Sequence, residues 1–311
     1  MTSTSAEALV IDGLSKRYGK ARTALMALDG VHLKIGRGQL YGLIGHNGAG
    51  KSTLFKLVLG LIEPTAGRIT VDGIQVGGRD FRRARQSIGY LPENLVLYDN
   101  LSGLETLRFF ARLKGAPLSQ CGELLDRVGL ANSAHRAVRE YSKGMRQRLG
   151  FAQALLGAPR LLLLDEPTTG LDPSAIRQFY DQLDQLRQQG VTIVISSHIL
   201  AELQQRVDRL ALLASGTLRA EGTVAELRER SSRPVVFLAR GDASARRRIT
   251  AALDGQPELV VRSTAEHLLR IDCPREQKMP VLQKLAAAGP SDLQVLEPTL
   301  EDVYFELRET P

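Results

Sequence analysis

The stretch Gly45-His46-Asn47-Gly48-Ala49-Gly50-Lys51-Ser52-Thr53 leaves the chain the fewest choices of fold. It matches the phosphate-binding pattern G-x-x-x-x-G-K-[ST] at every fixed position, follows the apolar run Leu40-Tyr41-Gly42-Leu43-Ile44 and precedes Leu54-Phe55-Lys56-Leu57-Val58-Leu59. Strand, loop and helix in that order are the context the pattern needs. The glycines let successive backbone N–H groups turn inward, and the positive end of the helix adds to the same hollow, so a polyphosphate is the expected ligand. Lys51 is expected to reach the β- and γ-phosphates and the Ser52 hydroxyl to take one position on Mg²⁺. Gly45, Asn47, Gly48, Ala49, Gly50 and Thr53 complete the expected cradle. The alternative is a glycine-rich turn that binds nothing.

A second signal is Arg160-Leu161-Leu162-Leu163-Leu164-Asp165-Glu166-Pro167, an apolar run of the kind buried on both faces of a parallel sheet, ending in two acids. Acids at the carboxyl end of a central strand are costly unless they serve a cation or a reaction, and ligands bind at that end. Asp165 is therefore expected to hold Mg²⁺, and Glu166 to polarise the water that attacks the γ-phosphate. A helix cap followed by a surface acid is the plainer alternative. The strand Val191 to Ser197 brings His198 to the same end as a donor to the γ-phosphate, although a lone histidine is often structural.

Tyr18 closes the first strand-like segment, where it either stacks on a purine ring or packs against a strand end. Ser142, in Tyr141-Ser142-Lys143-Gly144-Met145, is a good helix N-cap, and Gly144 leaves nearby amides open to an anion. Asp172 precedes a further helix as cap or contact residue.

With 311 residues there is room for one large domain and one small one. The segments near Leu9 and Val31 alternate as an antiparallel edge against a parallel core, residues 97–157 read as a helical insertion, and the cassette so formed spans 8–222. Residues 223–311 spell β-α-β-β-α-β, a small α+β ferredoxin-like domain with no catalytic constellation. Residues 1–7 read as a flexible tail without a signal core. No run approaches the ~18–20 apolar residues a membrane span needs. Cys121 and Cys273 stand far apart, which argues against a disulfide framework or zinc site. A net charge of +7 admits nucleic acid, an anionic membrane or an acidic protein, and the clearest basic run, Arg246-Arg247-Arg248, reads first as a solvated helix face.

Taken in order, Tyr18, the phosphate loop, Tyr90-Leu91-Pro92-Glu93, Tyr141-Ser142-Lys143-Gly144, Leu164-Asp165-Glu166, Gly170-Leu171-Asp172 and Ser197-His198 resemble the ATP-binding-cassette (ABC) ATPases over about the first two-thirds of the chain. The resemblance implies a P-loop ABC fold, ATP and Mg²⁺ as cofactors, and an ATPase coupled to transport. It implies that Ser142 and Gly144 cap ATP on a second copy of the chain in a head-to-tail dimer, with Asp172 a dimer contact and Glu93 beside Mg²⁺. It implies a transmembrane permease docked on the helical insertion, no nucleic acid partner, and a peripheral position at the cytoplasmic face of the inner membrane. Two departures stand out: Glu93 where the family usually has glutamine, and Tyr-Ser-Lys-Gly-Met where Leu-Ser-Gly-Gly-Gln is usual.

Both departures, with Pro298-Thr299-Leu300-Glu301-Asp302-Val303-Tyr304 near the end, resemble a branch of single-cassette, export-type ATPases. Gly45-His46-Asn47-Gly48, Leu91-Pro92-Glu93-Asn94, Leu104 to Gly115 and Tyr141 to Leu149 resemble within it the NosF-type ATPases of nitrous oxide reductase maturation. That likeness implies a NosY-like permease, a NosD-like periplasmic partner and a cargo of copper or a sulfur species. An exporter of drugs, peptides or polysaccharide shares the same ATPase. A soluble ABC protein acting on ribosomes or nucleic acid is the alternative of another class.

Overall fold

The computed structural model describes residues 7–19, 24–265 and 267–309, so most of the expected N-terminal tail lies outside the described residues. Two compact units divide after Val224.

The first unit opens with β1 (Glu7–Tyr18), β2 (Leu25–Gly36) and β3 (Leu40–Ile44), then α1 (Lys51–Val58), β4 (Ala66–Val71), β5 (Ile74–Gln75), α2 (Phe81–Gln86) and β6 (Ile88–Leu91). A helical segment follows, with α3 (Gly103–Lys114), α4 (Gln120–Arg127) and α5 (Lys143–Leu155). The chain returns through β7 (Leu161–Asp165), α6 (Pro173–Gln188), β8 (Thr192–Ser197), the short α7 (Leu200–Leu203), β9 (Arg209–Ala214) and β10 (Thr217–Gly222).

Two sheets result. One is antiparallel, β2-β1-β4-β5; the other is β10-β9-β3-β8-β7-β6, parallel from β9 to β6 with β10 antiparallel at its edge. The N-terminal strands thus form a sheet of their own rather than extending the core sheet. The reason lies in the side chains: Leu9, Ile11, Leu33, Ile35, Ile69 and Val71 share one buried cluster with Tyr41, Leu43, Leu163 and Val194 of the core sheet. Leu54, Phe55, Leu57 and Val58 of α1 fill the same cluster. The helix that follows the phosphate loop is therefore clamped between two sheets. On the other side, α6 packs on β3 and β8, and Phe151 meets Phe179 at 4.8 Å between ring centroids.

α3 begins at a capping box in which Ser102 Oγ accepts from the Glu105 amide and the Glu105 carboxylate accepts from the Ser102 amide. β6 must pass close under α5: a Cβ on Gly89 would lie 2.2 Å from Ala154 O and 2.5 Å from Leu162 Cδ2. Gly89→Ala is expected to lower stability by about 1–3 kcal/mol through overpacking, measured as a denaturant midpoint shift.

In the second unit, after α8 (Val224–Glu229), come β11 (Val235–Arg240), α9 (Ala243–Leu253), β12 (Val260–Ala265), β13 (Leu268–Cys273), α10 (Lys278–Ala287), β14 (Asp292–Leu296) and α11 (Leu300–Glu309). The sheet order is β12-β13-β11-β14, all antiparallel, which is the ferredoxin-like order expected for β-α-β-β-α-β. Ile249, Leu253, Val281 and Leu285 of α9 and α10 pack on Val235, Phe237, Leu269 and Ile271. Arg233 ties α11 to the chain before β11 by ion pairs to Asp302 and Glu306. Cys121 and Cys273 are both buried and free. Among the described residues, no helix is long and apolar enough to cross a membrane.

Candidate nucleotide site

The phosphate loop leaves β3, which is buried along its whole length between β8 and β9. Two glycines in it have no substitute. A Cβ on Gly45 would sit 2.6 Å from Leu213 O, and Gly50, at φ +111°, would drive one to 2.7 Å from Ala27 O. Gly48 also has positive φ, +83°, but nothing lies within 4 Å of where its Cβ would be, so that side of the loop is open. Lys51 is buried; its Nζ donates to Gly45 O at 2.6 Å, which folds the lysine back across its own loop.

Glu166 faces that lysine. Its Oε1 lies 3.1 Å from Lys51 Nζ, and its Oε2 lies 2.7 Å from His198 Nδ1. The Lys51 contact is short but off the direction of a hydrogen bond, so Oε1 is a buried acceptor with a nearby charge and no aligned donor. Glu166 itself has φ +49°, a left-handed backbone that few non-glycine residues adopt. Asp165 is placed by register: it stands opposite Ser196, whose hydroxyl donates to Asp165 Oδ1 at 2.6 Å and accepts from the Glu166 amide at 3.0 Å. One serine thus orients both acids.

A cleft of about 320 Å³ is bordered by Tyr18, the loop from His46 to Thr53, Glu93 and Glu166. With Leu25 to Ala27, residues from five separate segments meet there. Tyr18 is at the rim, with Lys16 Nζ 5.2 Å from its ring centroid. Burial, then the charges of Asp165 and Glu93, push the Tyr90 hydroxyl up to about 12. Ser196 is the site residue that sequence reasoning missed. A serine near the end of an apolar strand was the available signal. A larger cleft of about 960 Å³ lies by Asp12, His32 and Arg68, but these charges pair with one another and no phosphate loop borders it. Volume is a poorer guide here than chemistry.

Ser142, Gly144 and Asp172 are not in the phosphate-loop cleft. They border a separate one of about 800 Å³, together with Lys143 and Gly170. Ser142 Oγ accepts from the Met145 amide at 3.2 Å as the N-cap of α5. Asp172 Oδ1 accepts from the Ser174 and Ala175 amides, both at 2.9 Å, as the N-cap of α6. The Ser174 hydroxyl, then the Ala175 amide, hold the Asp172 carboxyl below its ordinary range. A carboxyl whose folded pKa is depressed contributes stability that is present above its unfolded pKa, ~3.9, and lost as pH falls through the lower folded value. Asp172→Asn keeps the acceptor and removes the charge. Melting temperature against pH is expected to lose part of its acid-side slope in that variant, and an unchanged slope would remove Asp172 as a contributor.

The cradle, the buried lysine, the seryl position at the helix start and the two acids beyond β7 fit a nucleoside triphosphate with Mg²⁺. Ser52 and Glu93 border the cleft and Asp165 precedes Glu166 in sequence; these are the oxygen donors that would hold such an ion, which would neutralise charge on the phosphate oxygens. Among the described residues no cluster of three or more His, Cys, Asp or Glu forms a separate metal site.

This arrangement defines a phosphate-loop ATPase cassette. Residues 28–169 match the family described as ABC transporter. The chain is 35% identical over 310 residues, 96% of its own length and 95% of the relative's, to the daunorubicin resistance ATP-binding protein DrrA3 of Streptomyces coeruleorubidus. It is 39% identical over 253 residues, 80% of its length and 82% of the relative's, to the fluoroquinolones export ATP-binding protein of Mycobacterium tuberculosis. A dimeric, post-hydrolysis structure of an ATP-binding cassette with ADP and phosphate superposes with a TM-score of 0.64 at 26% identity, covering 69% of this chain and 98% of that one. The chain belongs to the ATP-binding subunits of ABC transporters. It is an ABC-type ATPase that uses ATP with Mg²⁺.

Proposed function

We propose that the chain is the ATPase subunit of an export-type transporter for a small organic or peptide cargo. The observation that carries this is collinear similarity to a daunorubicin resistance protein across both units, 95% of that relative's length, and not across the cassette alone. The fluoroquinolone export relative supports the same reading.

In this reading Lys51 and the loop amides hold the phosphates, Tyr18 stacks on the base, and Ser52, Asp165 and Glu93 surround Mg²⁺. Glu166 accepts a proton from the attacking water through Oε1, which has no aligned donor, while His198 holds Oε2 and donates to the γ-phosphate side. Ser142, Gly144 and Asp172 act on the nucleotide of a second copy, head to tail. Their separate cleft supports this, because they reach no phosphate loop within their own chain. The subunit works peripherally, at the cytoplasmic face of the membrane, on a transmembrane permease.

A second reading rests on the segments around His46, Glu93 and Leu104 to Gly115: an ATPase of copper-site assembly in nitrous oxide reductase, with a NosY-like permease, a NosD-like periplasmic partner and copper or a sulfur species as cargo. Neither relative reported above is named for that process. The test is purification from membranes of a host expressing the neighbouring genes, with Glu166→Gln, ATP and Mg²⁺. A permease alone supports drug or peptide export, and a permease with a periplasmic protein supports the second reading. Ribosomes or DNA without a membrane protein would overturn both.

A further inference from the structure

The chain's positive charge is unevenly placed. Residues 225–311 hold 13 Lys and Arg against 14 Asp and Glu, so the whole net excess of +7 belongs to residues 1–224. The run Arg246 to Arg248, conspicuous in the sequence, is partly spent locally: Arg248 donates to Ala288 O and Ser244 Oγ, and Arg246 to Ser263 Oγ. In the cassette, many arginines face acids, as Arg37 and Arg160 face Asp72, Arg68 faces Asp12, Arg146 faces Asp99, and Arg187 faces Asp208.

Arg79, Arg82, Arg83 and Arg85 do not. All four are exposed, and among the described residues none of their side chains makes a hydrogen bond, an ion pair or a ring contact. Three of them lie on α2, whose other side is fixed: Phe81 and Ala84 are buried in the core cluster, and Phe81 packs so closely that a Cβ on Gly60 would lie 2.8 Å from its ring. Arg82 and Arg85, three residues apart on a short helix, repel each other, an arrangement that costs stability unless an anion compensates it. The ridge presents four cations, and Asp80, the N-cap of α2, is the one acid in the stretch from Arg79 to Gln86.

We propose that the α2 ridge of Arg79, Arg82, Arg83 and Arg85 is a contact surface for the anionic lipid headgroups of the membrane on which the subunit works. This rests on the transporter reading above, which brings the cassette against a membrane. A lipid surface fits better than a single phosphate ligand because all four side chains are exposed and none of them lines any of the larger clefts among the described residues. It fits better than single-stranded nucleic acid because the one aromatic ring of the stretch, Phe81, is buried and offers no stacking platform. A planar layer of negative headgroups asks only for several cations presented together.

The test is sedimentation of the full chain with vesicles of phosphatidylcholine alone or mixed with phosphatidylglycerol, at low and high salt. Each arginine near an anionic surface contributes roughly a fivefold gain in partitioning, so Arg79→Gln/Arg82→Gln/Arg83→Gln/Arg85→Gln is expected to lose at least about a hundredfold. A charge-matched control, Arg230→Gln/Arg247→Gln/Arg262→Gln/Lys284→Gln, alters exposed cations of the second unit and is expected to bind like the parent. Both variants should keep the parent's ATP turnover, which shows that they are folded. The proposal is overturned if the parent does not distinguish the two vesicle types, if the ridge variant binds as the parent does, or if the control loses as much. It is also overturned if the ridge variant fails only in capturing the permease from detergent, which would make the surface one for an acidic protein. Loss of vesicle binding with permease capture intact leaves the transporter reading standing, whereas failure of the parent to capture any permease would remove that reading itself.

Discussion

Glu166→Gln is expected to cut ATP turnover by about 10²–10⁴ while nucleotide binding survives. The substitution removes a proton acceptor without changing side-chain size, so the φ of +49° and the Ser196 bond to the backbone amide can persist. It also removes the carboxylate that stands 3.1 Å from Lys51 Nζ. Lys51 then has one fewer internal partner to leave when it turns to phosphate, and ATP affinity should hold or rise. Phosphate release at saturating ATP, alongside nucleotide binding followed by fluorescence, separates the two effects. Turnover equal to the parent's would take Glu166 out of the proton-accepting role.

Lys51→Ala is expected to weaken ATP binding itself, by roughly a hundredfold or more, since a desolvated charge contact to phosphate is lost. The same change strands Glu166. Its carboxylate is buried, and a buried charge deprived of its partner destabilises by roughly 3–5 kcal/mol at the upper end, less here because His198 remains at Oε2. The double variant Lys51→Ala/Glu166→Gln separates these effects: stability should return towards that of the parent, while binding should not. Titration calorimetry with ATP and a denaturant series on the same four proteins would decide it. Equal ATP affinity in the parent and Lys51→Ala would end the assignment of Lys51 to the phosphates.

The phosphate loop was legible because its constraints are local. Gly45, Gly50 and Lys51 sit within one turn of chain, and the pattern states both their order and their neighbours. The same holds for β7, whose five buried residues announce a central strand and deliver Asp165 to its end. What the sequence did not disclose depends on partners far along the chain. Ser196 serves Asp165 only because β7 and β8 pair in one register, Asp165 against Ser196, a relation settled by the packing of the whole sheet. The separate antiparallel sheet was hidden for a similar reason: alternation in β1 and β2 predicts strands, but whether they join a sheet or face one depends on α1 lying between. The arginine ridge was less visible than Arg246 to Arg248, because adjacency in sequence says nothing about which cations find acids after folding.

The left-handed backbone at Glu166 filters the residues this position can hold before any chemistry is asked of them. A β-branched side chain there would meet steric refusal from its own main chain, so valine, isoleucine and threonine are excluded by conformation and not by lack of a carboxylate. Asparagine and aspartate suit the backbone, yet their shorter arms retreat from both Lys51 and His198. The site therefore has two locks with different keys, one conformational and one acid–base. If Glu166 accepts the proton as proposed, a drifting sequence that satisfies only the first would retain a cassette able to hold ATP and unable to hydrolyse it.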